Sequence, residues 1–259
     1  MRVIRVRHRN QTFYASLVDE KNVQCLNKNL DLNEPIPLSE IQLLPVVWPT
    51  KIVCIGINYR GHAEELGLPV PEEPMLFLKP PSSVIGNGQP IILPRMSSRV
   101  DYEGELAIVI GQSCRNASLE DAKACVFGYA CANDITARDL QKRDGQYGRC
   151  KGFDTFCPVG PWIETEVGDP GALNIATRVN GEIKQNANTS DMVFSPLELV
   201  SFISRVMTLL PGDVVLTGTP PGIGQIHEAD EVRVEIENVG LLINVVASES
   251  GSTGSAVLQ

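Results

Sequence analysis

The sequence predicts a mostly β protein with a few helices, an α+β chain. Short apolar or alternating runs bounded by Gly, Pro and Asn recur along it, they outnumber stretches of helical periodicity, and no regular strand-helix-strand alternation is present. With 259 residues, 43% hydrophobic and 20% charged, the chain can bury a substantial core.

Residues 1–48 read as a small β-rich N-terminal domain. RVIRVRH and TFYASLVD alternate apolar and polar residues around a polar break, a hairpin signal, and LNEPIPLSEIQLLPVVWP is a proline-punctuated connector. Residues 49–247 form the main body. KIVCI is a short strand ending at Gly56, and RGHAEELGLPVPEEP predicts a short helix and then a mobile loop, because Pro69 and Pro71 forbid helical continuation. MLFLKPPSSVIGNGQPIILP predicts two short strands around a Gly/Asn turn, and ELAIVIG a third. In NASLEDAKAC, Ser118 N-caps a helix whose first turn carries Glu120 and Asp121, favoured by the helix dipole. TRVNGEIKQ is a hairpin, its Asn180-Gly181 suited to a type I′ turn. SPLELVSFISRVMTLLPGD is the clearest helix. Ser195 caps it, Pro196 opens it, Glu198 completes a capping box, Leu199, Phe202, Ile203, Val206 and Leu210 form its apolar face, and Pro211-Gly212 stops it. DVVLTGTP, EVRVEIENVG and LLINVVA are strands. Residues 248–259, ending GSTGSAVLQ, read as a linker and expression scar resembling a coronaviral main-protease recognition sequence.

Net charge is −9, which leaves no basic footprint for nucleic acid, and no apolar run reaches the roughly 20 residues of a membrane span. Without a signal peptide, the expected compartment is the cytosol. Seven cysteines, odd in number and without a CxxC pair, predict buried reduced thiols. His8 and His227 read as surface residues.

RVDYEGELAIVIG sets Glu103 and Glu105 two apart, so that on a strand they project side by side. Like charges so placed repel unless one takes a proton or a cation sits between them, and a hard divalent ion prefers such oxygen ligands. A lone Glu-x-Glu more often marks a solvated strand edge. Here Gly104 leaves room for close approach and LAIVIG leads into a core. Asp134, where a strand meets a loop, offers a third ligand or is a turn residue. His62 and Glu65 share a helix face, either as a surface pair or as a base with its orienting carboxylate. Lys79 and Lys151 follow apolar or glycine-flanked contexts. TGTPPGIG lacks the lysine of a phosphate-binding loop and reads as a tight turn with exposed amides.

Seven stretches in order carry a resemblance: GxNYxxHxxE from Gly56 to Glu65, FLKP at 77–80, DYEGELAIVIG, NDITARDLQ, KGFDTFCPVGPWI, VNGEIKQ and LLPGDVVLTGTPPGIG. Over residues 50–246 they resemble the fumarylacetoacetate hydrolase family, with the acylpyruvate hydrolases and the oxaloacetate decarboxylases or tautomerases nearest. The resemblance implies a mixed β-sandwich roll, a homodimer, and Mg²⁺ or Mn²⁺ held by Glu103, Glu105 and Asp134. It implies a lid bearing His62 and Glu65 as catalytic base and orienter, with Lys151 also catalytic. It places Lys79, Arg138, Gln141 and Thr219 around a small 2-oxo or diketo acid. The implied activity is metal-dependent C–C hydrolysis of an acylpyruvate- or fumarylpyruvate-type 2,4-diketo acid to pyruvate and a carboxylic acid. Oxaloacetate decarboxylation or tautomerisation, or isomerisation or decarboxylation of an aromatic-catabolism intermediate, are the alternatives, and outside enzymes a keto-acid-binding module. An intact His62–Glu65 pair argues against mere binding. Glu103→Gln is expected to abolish turnover with little loss of stability.

Overall fold

The computed structural model describes residues 1–249, so most of the expected linker and scar lies outside the described residues. Ser248 ends a strand and the Glu249 amide donates to the Leu93 carbonyl at 3.1 Å, so the folded sheet reaches just past residue 247.

Strands dominate, and among the described residues five α-helices interrupt them: Arg60–Leu66, Leu119–Cys125, Arg138–Asp144, Tyr147–Lys151 and Pro196–Val206. The large sheet runs through Ile36–Pro37, Asn22–Cys25, Gln11–Leu17, Arg2–His8, Cys157–Glu164, Val126–Asn133, Gly104–Ile110, Val214–Leu216, Ile52–Ile55 and Leu76–Lys79. Most neighbours are antiparallel, but Val214–Leu216 lies parallel to Ile52–Ile55, which makes the sheet mixed. A second sheet orders Glu182–Asn188, Asn174–Val179, Glu231–Ile236, Gly240–Ser248 and Ile91–Leu93. The two are the layers of a mixed β-sandwich roll.

Strand Gly104–Ile110 explains where the site lies. It is buried along its whole length, and successive side chains go to opposite faces. Leu106, Ile108 and Ile110 join the core between the sheets, with Ile175, Val234, Ile236, Leu242 and the helix residues Leu199, Val200 and Ile203. Ala107 and Val109 join the other core, with Ile52, Cys54, Ala130, Ala132, Val214 and Leu216. By the same alternation Glu105 shares the face of Ala107, while Gly104 faces the second sheet. A Cβ on Gly104 would lie 2.0 Å from the Thr177 hydroxyl, so only glycine lets that sheet approach.

Several local expectations hold for local reasons. Asn180 and Gly181 both have positive φ, 53° and 83°, as a type I′ turn requires. Ser118 and Asp121 form a capping box, as do Ser195 and Glu198. Helix Arg60–Leu66 ends on Gly67 in the left-handed conformation before the prolines.

Others are corrected. MLFLKPPSSVIGNGQPIILP is no simple strand pair: Leu76–Lys79, Val84–Ile85 and Ile91–Leu93 each pair with a different partner strand, so long-range pairing overrides the Gly/Asn turn. The last helix stops at Val206, before Pro211, because Cys114 and Leu209 pair as an isolated β-bridge and draw the chain into extended form. Val206 and Leu210 are therefore exposed, and Leu199, Val200 and Ile203 make the buried stripe. His8 is buried, its Nδ1 2.9 Å from the Glu40 carbonyl, whereas His227 is exposed as expected. All seven cysteines are free, six of them buried. Among the described residues no helix is long and apolar enough to cross a membrane.

Candidate active site

Three elements bring carboxylates together. Glu103 sits at the break between strands Val100–Tyr102 and Gly104–Ile110, Glu105 is the second residue of the latter, and Asp134 follows strand Val126–Asn133, which pairs with it. The Asp134 amide donates to the Glu103 carbonyl at 2.8 Å, locking the two chain segments in register. Oxygens of Glu103, Glu105 and Asp134 all lie within 4.8 Å of one another, and all three residues are buried.

Basic groups balance two of the three. Lys151 Nζ donates to Glu103 at 2.7 Å and to Asp134 at 2.5 Å, and Lys79 Nζ donates to the other Asp134 oxygen at 2.5 Å. Arg138 spends its guanidinium on Glu103, on Asp101 at 3.1 Å and on Gln141 at 2.7 Å. Burial opposes ionisation of Glu103, but the Lys151 and Arg138 charges overcome it and hold its carboxyl down at about 2. Burial likewise disfavours the Lys151 ammonium, and Asp134 and Glu103 outweigh it, keeping that pKa above the ordinary lysine range.

Glu105 is different. It is 1% exposed, and among the described residues no basic side chain pairs with it; its one partner is the Gly218 amide, 2.6 Å from Oε2. Burial, then repulsion from Asp134 and Glu103, push its carboxyl well above the usual range. A buried carboxylate beside two others, with no counter-charge of its own, is a donor set suited to a hard divalent cation. The residues fit Mg²⁺ or Mn²⁺.

Glu103 and Glu105 line a cavity of about 400 Å³ together with His62, Leu66, Leu68, Met75, Phe77, Arg138, Gln141, Tyr147, Lys151 and Thr219. His62 Nδ1 lies 2.8 Å from Glu65 Oε2, so the dyad is already formed, and Glu65 Oε1 accepts the Gly222 amide at 2.9 Å. Thr219 Oγ1 donates to the Gly104 carbonyl at 2.9 Å and accepts from Gln185 at 2.8 Å. A larger cleft of about 650 Å³, between the N-terminal strands and Trp162, lacks a comparable cluster of carboxylates and histidine among the described residues.

Most of the residues singled out from sequence thus meet around one cavity. Asp134, Glu65 and Lys79 do not line it: Asp134 and Glu65 stand behind Glu103 and His62, and Lys79, 2% exposed, pairs with Asp134 and also donates to the Ile135 carbonyl. Arg138 lines the cavity, and each of its three guanidinium nitrogens already donates to a protein side chain, Glu103, Asp101 or Gln141. Residues 138–151 are largely helical, helices Arg138–Asp144 and Tyr147–Lys151 turning at Gly145, which puts Lys151 over the carboxylates. Two amides of the TGTPPGIG turn are not free, those of Gly218 and Gly222 being committed to Glu105 and Glu65. Removing the Glu103 charge would take one of two carboxylate partners from Lys151 and from Arg138, which argues for a stability cost of Glu103→Gln where the sequence alone suggested little. Sequence reading passed over Asp101, fully buried and holding Arg99 and Arg138, although its place beside Glu103 in DYEGE was a signal.

Residues 51–247 match the fumarylacetoacetate (FAA) hydrolase C-terminal family model. The human mitochondrial oxaloacetate tautomerase FAHD2B is 46% identical over 223 residues, 82% of this chain and 71% of that protein. A 5-carboxymethyl-2-hydroxymuconate delta-isomerase structure from Mycobacterium smegmatis superposes with TM-score 0.87 at 41% identity, over 96% of this chain and all of that one. The maleylpyruvate hydrolase of Sphingobium sp. SYK-6, solved with manganese(II) and pyruvate, superposes with TM-score 0.80 at 33% identity, again over 96% and 100%. The match spans every carboxylate and dyad residue described above, and all of the large sheet except its N-terminal strands, and the chain belongs to the fumarylacetoacetate hydrolase family.

Proposed function

We propose that the chain is a divalent-cation-dependent enzyme acting on a small 2-oxo acid, and that its principal reaction is a proton shift at the carbon beside the ketone, as in keto–enol tautomerisation of oxaloacetate. One observation carries the reading: two of the three clustered carboxylates, Glu103 and the uncompensated Glu105, open into a cavity whose wall bears His62, oriented by Glu65 from behind. Mg²⁺ or Mn²⁺ held by Glu103, Glu105 and Asp134 would supply Lewis acidity towards the substrate's oxygens, making its C3 protons acidic.

The chain's own groups do the rest. Glu65 holds Nδ1 of His62, which leaves Nε2 to take a proton from C3 and return it at oxygen. Lys151, fixed between Glu103 and Asp134, supplies positive charge where the enol oxygen develops its negative charge. Phe77 and Tyr147, edge to face at 5.0 Å, and the apolar Leu66 and Leu68 help exclude water.

A proton shift stands first because the tautomerase and isomerase relatives share more identity with this chain than the maleylpyruvate hydrolase does. Hydrolytic cleavage of an acylpyruvate- or fumarylpyruvate-type diketo acid is the second reading, favoured by the full-length likeness to that hydrolase. In it His62 deprotonates water, hydroxide adds to the distal carbonyl, and the C–C bond breaks with pyruvate leaving as its enolate. A cytosolic homodimer completes the proposal, and light scattering reads the subunit number.

The test follows ultraviolet absorbance of oxaloacetate enol, and pyruvate release from acetylpyruvate, with Mg²⁺ or Mn²⁺ and then with EDTA. EDTA-sensitive enol loss without carbon dioxide establishes the tautomerase. Carbon dioxide release indicates decarboxylation, and pyruvate from acetylpyruvate establishes the hydrolase. Inertness towards both substrates overturns the proposal.

A further inference from the structure

Of the seven stretches singled out in the sequence, VNGEIKQ is the one to which the proposed reaction gives no part, and it ends in Gln185. This side chain comes from strand Glu182–Asn188 of the second sheet and is fully buried. It lies on the far side of Gly104 from the cavity. Its Oε1 accepts the Gly104 amide at 3.0 Å, and its Nε2 donates to Thr219 Oγ1 at 2.8 Å and to the Pro220 carbonyl at 2.7 Å. Thr219 Oγ1 closes the ring by donating to the Gly104 carbonyl at 2.9 Å.

Both halves of the site hang from the loop so tied. One residue before Thr219, the Gly218 amide holds Glu105; three residues after it, the Gly222 amide holds Glu65. Gly222 has φ +102° and lies against the same strand, where a Cβ would come 2.1 Å from the Lys184 carbonyl, and its own carbonyl accepts the Tyr102 hydroxyl at 2.7 Å. We propose that Gln185 is a positioning residue that clamps the loop 217–222 to the strand between the two glutamates, setting the carboxylate cluster and the His62–Glu65 dyad together. The cation part of its effect rests on the function proposed above; the clamp itself does not.

Only a primary amide of this length meets the demand. It must accept from one backbone amide and donate twice, to a hydroxyl and to a carbonyl, at a fully buried position. A carboxylate would set an acceptor against the Pro220 carbonyl, and a thioether would leave Gly104 N–H and Pro220 C=O unpaired. Asparagine, one methylene shorter, cannot span both chain segments.

The experiment compares the full-length wild type with Gln185→Met and Gln185→Glu, with Gln185→Asn in reserve should those not accumulate folded. The control is Asn244→Leu, which removes another buried amide of the same sheet, one donating to the Gly86 and Gln89 carbonyls away from the site. Amide exchange over 217–222 is read by mass spectrometry, Mn²⁺ affinity by calorimetric titration, and kcat and KM on whichever substrate proves active. The Gln185 variants should exchange the loop amides about ten-fold faster, bind Mn²⁺ about ten-fold more weakly and lose kcat more than they raise KM, as for an outer partner that orients ligands. Asn244→Leu should lower Tm and change none of these. Wild-type exchange in a folded Gln185 variant, or the same loop exchange in Asn244→Leu, would overturn the inference. A wild type that binds no Mn²⁺ refutes the cation reading instead, and loop exchange still decides this one.

Discussion

Glu103 and Glu105, two residues apart on one strand, have opposite electrostatic fates. Glu103 is held ionised by Lys151 and Arg138, while Glu105 has only a backbone amide. Glu105→Gln should therefore leave Tm nearly unchanged, because the amide replaces a carboxyl whose ionisation burial and its neighbours already oppose, while abolishing Mn²⁺ binding. Glu103→Gln should cost about 3 kcal/mol, because it leaves buried cations short of a partner. Calorimetric melting and Mn²⁺ titration of the two variants check this; a Glu105→Gln protein that binds Mn²⁺ like wild type would sink the ligand assignment. His62→Ala should spare Mn²⁺ affinity and lower turnover by about 10²-fold or more, as loss of a positioned base does. Equal turnover in that variant would leave the dyad without a catalytic part. The identity of these residues was legible in the sequence, but their inequality was not: it depends on Lys151 and Arg138, brought in by two helices further along the chain.

At the scale of elements, the parallel pairing of Ile52–Ile55 with Val214–Leu216 needs a lock, since nothing local joins them. Asp213 provides it. Fully buried, it accepts from the Thr50 amide and hydroxyl, the Lys51 amide and ammonium, and the Leu210 amide. Burial works against its ionisation, but Lys51, Thr50 and these amides win and keep its carboxyl below the ordinary value of 3.8. A carboxyl lowered in the folded state contributes stability that is full above that ordinary value and fades as pH falls through the lowered one. Asp213→Asn should cost about 2 kcal/mol at neutral pH, and its deficit against wild type should shrink as pH drops below 4, on the carboxylate scale. Urea unfolding of both proteins at neutral and acid pH measures it, and a deficit constant with pH would refute the lock. Helix Pro196–Val206 shows the same dependence on distant pairing: its capping box was readable from Ser195 and Glu198, whereas its end was set by the Cys114–Leu209 bridge.

Across the whole molecule, the N-terminal strands continue the large sheet instead of standing apart from it. Arg2 and Val3 pair with Glu164 and Ile163, the N-terminal ammonium donates to Glu164 at 2.7 Å, and Arg2 stacks 4.5 Å above Trp162. The N-terminal strands also keep a small core of their own around Ile4, Val6, Phe13, Ala15, Val23 and Ile36. The carboxylate cluster, by contrast, draws on strands and helices from residue 79 to residue 151 and is tied to the 217–222 loop. A cation bound there should stabilise the fold as a unit, by about 2.7 kcal/mol at a hundred-fold excess over Kd. Scanning calorimetry with Mn²⁺ should show Tm rising by roughly 5–10 °C in the wild type and not at all in Glu105→Gln. An equal rise in both would place the cation elsewhere.

By itself the sequence determined the strand-rich class, the type I′ hairpin, the N-caps at Ser118 and Ser195 with the Glu198 capping box, and most of the residues that meet in the site. Each of these is written in neighbours only a few positions apart: alternation of period two, a cap and its partner three residues on, Asn-Gly between two strands. The tertiary structure alone decided which carboxylate goes without a cation, which lysine is hidden behind Asp134, and that Gln185 from the other sheet holds the loop. Those outcomes depend on groups far apart in the chain that share a desolvated space, where the charge or hydrogen-bond partner across the gap determines what a residue does.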